Sequence, residues 1–222
     1  MTKEPRVASE LYKTLLKSGC IKFGVFKREK GKLSSYSLDL KLIPSIPNGM
    51  DRVVSILENM TRNEIGVESF DRIAGVPSTG ITFASILSYK LSKPFLYIKG
   101  ATETRGREKR IDGLLSPGDR ILIVDDLIAS GKSLLHAVDI VRGEGGMVSD
   151  ALVLVDREEG GVEKLSKVAV KLHTFAKISE VVTKLHEANL IDKKCYEEMV
   201  GKVVLKELDS QNTTISPDES YS

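Results

Sequence analysis

The chain is poor in the residues that mark several protein classes. Its 222 residues include only two cysteines, Cys20 and Cys195, which lie far apart and lack metal-ligand spacing. The three histidines, His136, His173 and His186, are equally scattered. We therefore expect two free thiols in a reducing compartment, with neither a disulfide scaffold nor a cysteine or histidine metal site.

Long apolar runs and an excess of charge of one sign are also missing. No stretch approaches the roughly 18 apolar residues that span a membrane, and the N-terminus, Met-Thr-Lys-Glu-Pro-Arg, lacks the apolar core of a signal peptide. With 33 basic and 31 acidic residues, the formal net charge is +2. We therefore expect a cytoplasmic protein with no nucleic-acid partner and no membrane association.

What the chain does contain is typical of a globular α/β protein. Hydrophobic residues make up 41% of the sequence and charged residues 29%, a balance that suits one packed core with a charged surface. We expect an N-terminal helix and a small two-stranded unit over residues 1–47, and an α/β core with C-terminal helices over residues 48–208. The polar residues 209–222 predict a disordered tail.

Strand and helix patterns alternate from residue 71 onward. Helical patterns cover residues 80–91 and 131–144. Short apolar runs predict strands over residues 72–76, 95–98, 120–124, 147–155 and 168–174. Such alternation predicts a Rossmann-like parallel sheet with right-handed crossovers and helices on both faces.

The segment from Arg120 to Ser133 carries the most chemical information. Its apolar strand ends at two adjacent carboxylates, Asp125 and Asp126, and a turn of small residues leads from there into the next helix. The turn and the first helical residues are Ala129, Ser130, Gly131, Lys132 and Ser133. In open α/β sheets, ligands bind outside the carboxyl ends of the strands, which is where this turn is expected to lie.

The residue types of this segment suit a sugar phosphate. Backbone N–H groups at a helix N-terminus favour a phosphate, Ser130 and Ser133 add hydroxyl donors, and Gly131 permits close approach. The two carboxylates would repel a phosphate. They suit ribose hydroxyls, a divalent cation or positive charge developing on a sugar ring.

Two alternatives compete with this interpretation. Gly131-Lys132-Ser133 looks like the end of a nucleotide-binding P-loop, but the position five residues earlier is Asp126 where that motif has glycine. An acidic residue there would face the phosphates, which disfavours the P-loop. The other alternative is a plain strand–turn–helix with a surface acidic pair, which the coincidence of so many features disfavours.

The segment resembles the phosphoribosyl-pyrophosphate (PRPP) signature of type I phosphoribosyltransferases, with Ala129 and Ser130 where two threonines are usual. Other stretches are most similar to orotate phosphoribosyltransferases. Residues 19–26 and 34–41 resemble that family's N-terminal hood, residues 73–80 its pyrophosphate loop, and residues 155–161 the stretch with its orotate-contacting arginine. The resemblance implies a type I phosphoribosyltransferase fold with a small hood.

The resemblance also implies an activity, a cofactor and a set of site residues. It implies transfer of the phosphoribosyl group of PRPP to orotate, with Mg²⁺ as cofactor, in a homodimer. Asp125 and Asp126 would be catalytic, holding the ribose and Mg²⁺. Pyrophosphate would contact Ser78, Thr79 and Gly80, and the 5′-phosphate would contact Ala129, Ser130, Gly131, Lys132 and Ser133. The resemblance further implies that orotate contacts Arg157 and Lys30, and that Lys99 and Arg105 are catalytic cations.

Arg157 follows Asp156 at the end of a predicted strand, and its charge has two explanations. A guanidinium can hold a carboxylate through two parallel hydrogen bonds, which would select orotate over uracil or a purine. The other explanation is a surface arginine paired with Glu158 or Glu159.

The chain departs from the family pattern at several cations. In the loop over residues 99–113, Gly100 and Glu103 stand where the family has lysines, and Arg105 stands where it has histidine. In the hood, Glu29 occupies the usual lysine position beside Lys30. These departures leave open a phosphoribosyltransferase for a different base, or a non-catalytic, PRPP-binding regulatory relative.

Overall fold

The computed structural model describes residues 5–27, 33–99, 110–199 and 201. Five positions discussed above, Glu29, Lys30, Gly100, Glu103 and Arg105, lie outside the described residues, as does the predicted disordered tail over residues 209–222. The described part of the chain contains no helix that is long and apolar enough to cross a membrane. Both cysteines are free thiols, as expected.

The described residues form alternating helices and strands. The helices are α1 Pro5–Lys17, α2 Gly49–Met60, α3 Thr79–Leu91, α4 Lys132–Gly143, α5 Gly161–Lys167 and α6 Ile178–Glu187. The strands are β1 Ile21–Lys27, β2 Leu33–Leu38, β3 Arg72–Gly75, β4 Phe95–Ile98, β5 Ile111–Asp112, β6 Arg120–Ile128, β7 Met147–Asp156 and β8 Lys171–Lys177. Short helical turns cover Leu40–Ser45, Thr61–Ile65 and Val67–Ser69, and residues 193–199 are also helical.

The strands form two sheets. Strands β1 and β2 pair with each other in an antiparallel hairpin, which we call the hood. The other six form one sheet in the order β5-β4-β3-β6-β7-β8, parallel except for the short edge strand β5. The predicted parallel α/β fold is confirmed. Because the strand order reverses between β3 and β6, a crevice is expected beyond the carboxyl ends of these two strands.

The apolar run that predicted β6 is buried on both faces of the sheet. Leu122 and Val124 belong to one hydrophobic cluster, and Ile121 and Ile123 belong to a second cluster on the opposite face. Each of the four side chains is at most 2% exposed. This central parallel strand, between two helical layers, therefore has no polar position from Ile121 until Asp125.

Three local predictions were incomplete or wrong. Strand β6 continues to Ile128, beyond the acidic pair, because its backbone remains paired with β7. Helix α5 was not predicted, and β8 begins three residues later than expected.

Two Asp-Arg dipeptides clamp the other end of β3 and β6. Asp71 accepts from the Arg120 side chain at 2.7 and 3.0 Å, and Arg72 Nε lies 2.6 Å from Asp119 Oδ2. Hydrogen bonds from the Arg120 side chain and backbone hold the pKa of the Asp71 carboxyl well below its usual range. The reciprocal pairing fixes the register of two strands whose opposite ends carry the site.

Replacing Asp71 with asparagine is expected to lower the melting temperature at pH 7 by about 1–3 °C, because the pair is largely exposed. A lowered carboxyl pKa contributes stability above the unfolded value of about 4, and this contribution disappears as the pH falls through the folded pKa. The difference from wild type should therefore shrink below about pH 4. Thermal unfolding followed by circular dichroism measures this difference in melting temperature. Asp139→Asn, an exposed change on α4, is the control, and an equal effect in both variants would contradict the clamp.

Candidate active site

The acidic pair lies near the carboxyl end of β6, two residues before the strand ends at Ile128. Asp125 is only 6% exposed and Asp126 is half-buried. The Asp126 N–H donates to Asp125 Oδ1 at 2.8 Å, and the Leu127 N–H donates to Asp126 Oδ1 at 2.9 Å. Each carboxylate is thus held by the backbone of the residue that follows it, which fixes both side chains before any ligand arrives.

Both carboxyls are harder to ionise than ordinary aspartates. Burial raises the pKa of Asp125 well above its usual value, and the charge of Asp126 raises it further. Burial also raises the pKa of Asp126, although hydrogen bonds, including one from the Thr79 side chain, act in the opposite direction. A bound cation or hydroxyl donors would stabilise the ionised form of two such neighbouring carboxyls.

Helix α3 begins directly against this pair. A Cβ atom on Gly80 would lie 2.7 Å from the Val124 carbonyl oxygen and 2.8 Å from Asp125 Oδ1, so glycine permits the approach. Thr79 is buried, whereas Ser78 is exposed and follows a cis peptide bond from Pro77. The structure therefore brings the segment Ser78–Gly80, predicted from its sequence as an anion-binding loop, beside the acidic pair.

The turn after β6 forms a small pocket at the N-terminus of α4. The pocket has a volume of about 100 Å³ and is lined by Asp125 and residues 127–134. Gly131 has a φ of 78°, and a Cβ atom there would lie 3.1 Å from Gly161 Cα. A Cβ atom on Gly161 would lie 2.6 Å from the Ala129 carbonyl oxygen. The turn is therefore packed against the start of α5, with the N-terminal N–H groups of α4 close to the pocket.

Arg157 lies beside the same turn. Its backbone N–H donates to the Ile128 carbonyl oxygen at 2.8 Å, which continues the ladder between β6 and β7. Its side chain, 16% exposed, reaches Glu159 Oε1 at 3.2 Å through Nη2 and the Tyr36 hydroxyl at 3.2 Å through Nε. The ion pair with Glu159 was one of the alternatives in the sequence. Glu158 instead accepts two hydrogen bonds from Ser179.

Lys99 is not brought to the acidic pair. Lys99 directly follows β4, and β3 lies between β4 and β6 in the sheet. The Lys99 Nζ lies 3.0 Å from Asp112 Oδ1. Its backbone N–H donates to the Arg110 carbonyl oxygen at 2.9 Å. Lys99 and Asp112 therefore close the stem of the segment over residues 100–109, whose residue Arg105 lies outside the described residues.

Comparison with known proteins assigns the family. Residues 41–187 match the model of the phosphoribosyl transferase domain. The orotate phosphoribosyltransferase of Cenarchaeum symbiosum is 34% identical over 83% of this chain and 92% of its own length. That of Sulfolobus acidocaldarius is 36% identical over 89% of this chain and 99% of its own. The chain belongs to the orotate phosphoribosyltransferase family.

Solved structures agree with this assignment of the phosphoribosyltransferase fold. The orotate phosphoribosyltransferase of Aeropyrum pernix has a TM-score of 0.68 and 28% identity, covering 79% of this chain and 99% of that one. The UMP synthase of Leishmania donovani has a TM-score of 0.79 and 28% identity, and covers 89% of this chain. The matched region is 42% of the UMP synthase chain.

Two residues that touch the candidate phosphoribosyltransferase site were missed by sequence reasoning. Lys164, on α5, donates from Nζ to the Ser130 carbonyl oxygen at 3.1 Å. Tyr36, on β2, contacts Arg157 from the hood. Lys164 lies 34 residues after Ser130 and Tyr36 lies 121 residues before Arg157, so neither contact has a local signal in the sequence. The two consecutive glycines Gly160 and Gly161 were the one sequence signal that could have indicated the close approach of α5 to the turn.

Replacing Lys164 with alanine is expected to raise the KM for PRPP roughly three- to tenfold, because one hydrogen bond to the turn is lost. The turnover number should change little, since the contact of Lys164 is with the backbone of the turn at Ser130. Steady-state kinetics at saturating second substrate separates the two constants. Lys167→Ala, an exposed change at the end of the same helix, is the control. Equal KM values in both variants would show that the contact does not support the turn.

Proposed function

We propose that this protein is an orotate phosphoribosyltransferase. It transfers the phosphoribosyl group of PRPP to orotate, and the products are orotidine 5′-phosphate and pyrophosphate. The observation that carries the proposal is the junction at the end of β6, where buried Asp125, half-buried Asp126, an anion-ready turn and Arg157 lie close together. The names of the relatives described above support the choice of orotate.

PRPP binding follows from the two loops at the crevice. The 5′-phosphate suits the turn over residues 129–133, where backbone N–H groups of α4 have no partner within the helix. The pyrophosphate suits Ser78, Thr79 and Gly80 at the N-terminus of α3. The ribose between them would then lie over Asp125 and Asp126, which accept hydrogen bonds from its 2′- and 3′-hydroxyls.

The carboxylates suit the transition state better than the ground state. As pyrophosphate leaves and the base nitrogen attacks, the ribose ring acquires oxocarbenium character, and nearby negative charge stabilises it. No covalent enzyme intermediate is required by this chemistry. The raised pKa values of the carboxyls favour ligands that bring positive charge or hydroxyl donors close to the pair.

Mg²⁺ is the proposed cofactor, and Asp125 and Asp126 are the residues proposed to hold it. Mg²⁺ is usually bound by one or two protein carboxylates together with substrate phosphate oxygens, and the acidic pair supplies two carboxylates. Among the described residues, no group of three or more histidine, cysteine or acidic side chains could hold a metal ion. When bound, Mg²⁺ would neutralise charge on the departing pyrophosphate.

Arg157 is the proposed contact for the orotate carboxylate. It lies next to the turn, is mostly buried, and keeps a planar guanidinium whose geometry matches a carboxylate. Lys30 is proposed to assist from the hood, and Lys99 and Arg105 to act as cations at the pyrophosphate side. We also propose a cytoplasmic homodimer, on the resemblance to the orotate phosphoribosyltransferase family alone. Light scattering that gives a monomeric mass would contradict the dimer.

A second candidate is a non-catalytic, PRPP-binding regulatory relative. The ion pairs of Lys99 with Asp112 and of Arg157 with Glu159 favour it, because both pairs neutralise cations that the reaction would use. A third is a phosphoribosyltransferase for a different base.

A panel of bases separates the three candidates. Orotate, uracil, hypoxanthine, xanthine and adenine are each incubated with PRPP and Mg²⁺, and pyrophosphate release is measured. We expect turnover with orotate alone. Turnover with another base would favour the third candidate. Binding of PRPP by calorimetry without turnover on any base would favour the regulatory one.

A further inference from the structure

The hood contacts the core at Arg157, the residue proposed to bind the orotate carboxylate. Its two strands form backbone ladder hydrogen bonds only with each other in the described part of the chain. A side-chain contact crosses from β2 to the end of β7, where the Tyr36 hydroxyl accepts from Arg157 Nε at 3.2 Å. The Arg157 guanidinium carbon also lies 5.3 Å from the centre of the Tyr36 ring.

We propose that Tyr36 is a positioning residue for base selection, which acts by fixing the orientation of the Arg157 guanidinium. The inference rests on the proposed orotate phosphoribosyltransferase activity and on Arg157 as the carboxylate contact. It assigns a role to the hood that is separate from any contact made by Lys30.

The shape of a guanidinium explains why two contacts are sufficient to orient it. The group is a rigid planar fork with five N–H donors, so fixing Nε and one terminal nitrogen fixes the directions of the remaining donors. Nε is taken by Tyr36 and one donor of Nη2 by Glu159, as seen among the described residues. Tyr36 and Glu159 together set the direction of the Nη1 donors, which have no partner among the described residues and can reach a carboxylate.

The chemistry of the phenol matters as much as its position. A hydroxyl is a neutral acceptor, so Tyr36 orients Arg157 without adding a second negative charge to that of Glu159, which lies 3.2 Å from Nη2. A carboxylate at the same place would compete with the substrate. Burial makes the orientation definite, because Tyr36 is 5% exposed and has little room to rotate. Its strand neighbour Ser34 also donates from its hydroxyl to the Tyr36 carbonyl oxygen at 2.8 Å.

The test is Tyr36→Phe, which removes the acceptor but retains the ring against Arg157. We expect the KM for orotate to rise roughly three- to tenfold, as for one lost hydrogen bond to a charged group. The KM for PRPP and the melting temperature should remain those of wild type, because the packing of the ring is conserved. Tyr12→Phe, which removes a buried phenol hydroxyl on α1, is the matched control and should leave both KM values unchanged.

A double-mutant cycle separates positioning from general structural support. If Tyr36 acts through Arg157, then Tyr36→Phe should cause no further loss of kcat/KM for orotate in an Arg157→Ala background. Additive losses, an equal rise in the KM for PRPP, or an unchanged KM for orotate in Tyr36→Phe would each overturn the inference. Absence of orotate turnover in the wild-type enzyme would instead overturn the proposed function, and the inference with it.

Discussion

Replacing Asp125 with asparagine is expected to lower the turnover number by about 10²–10³-fold, while the melting temperature at pH 7 rises. Turnover falls because asparagine cannot supply negative charge to the developing oxocarbenium ion. Stability rises because a buried carboxyl beside a second carboxyl is costly to ionise. Asparagine retains the side-chain oxygen that accepts from the Asp126 N–H, so the local fold is preserved.

The gain in stability should depend on pH in a definite direction. Because the pKa of Asp125 is raised in the folded protein, the folded state binds more protons than the unfolded state above about pH 4. Wild-type stability from this group is therefore present at low pH and is lost as the pH rises through the raised pKa. Asparagine has no such loss, so its advantage over wild type should be small at pH 4 and larger at pH 7.

Two measurements check this pair of effects. Steady-state kinetics gives the turnover number, and thermal unfolding at pH 4 to 8 gives the stability difference. Asp139→Asn, an exposed carboxylate on α4, should change neither. A variant that loses stability at pH 7, or retains wild-type turnover, would mean that Asp125 serves the fold and does not stabilise the reacting sugar.

Replacing Arg157 with alanine is expected to lower kcat/KM for orotate by roughly 10²–10³-fold, since a charged contact made through two hydrogen bonds is lost. The affinity for PRPP measured by calorimetry should be retained, because the turn at residues 129–133 is held by Gly161 and Lys164 from the other side. The comparison of the two substrates distinguishes loss of base recognition from collapse of the site.

The control for Arg157 is a second arginine with a similar ion pair. Arg62 pairs with Glu58 at 3.0 Å on the surface, as Arg157 pairs with Glu159, but it lies away from the crevice. Arg62→Ala should leave the kinetics unchanged. If Arg157→Ala behaved in the same way, Arg157 would serve only its ion pair with Glu159, and the choice of orotate would lose its main physical support.

The sequence predicted the parts of the fold whose signals are local. The apolar run at residues 121–124 indicated a buried parallel strand, and both of its faces are indeed covered. The acidic pair followed by a small-residue turn indicated a ligand site, and the pocket lies at that turn. These predictions needed only the spacing of residues in one segment and the rule that ligands bind beyond the carboxyl ends of parallel strands.

The remaining features depend on contacts between distant segments. The extension of β6 to Ile128 comes from its pairing with β7. It was not predicted because the polar residues at 125 and 126 interrupt the apolar run. The contacts of Lys164 with the turn and of Tyr36 with Arg157 join elements whose arrangement the sequence does not specify locally. The contacts of Arg157 also required the structure. Its side chain pairs with Glu159, while its backbone N–H donates to the Ile128 carbonyl oxygen.

The most direct test of the account is the consumption of orotate by the purified protein with PRPP and Mg²⁺, followed by the ultraviolet absorbance of orotate. We predict an Mg²⁺-dependent loss of absorbance with formation of orotidine 5′-phosphate, strongly reduced in Asp125→Asn. No change in absorbance, with PRPP binding demonstrated by calorimetry, would contradict it and would favour a regulatory relative or an enzyme for a different base.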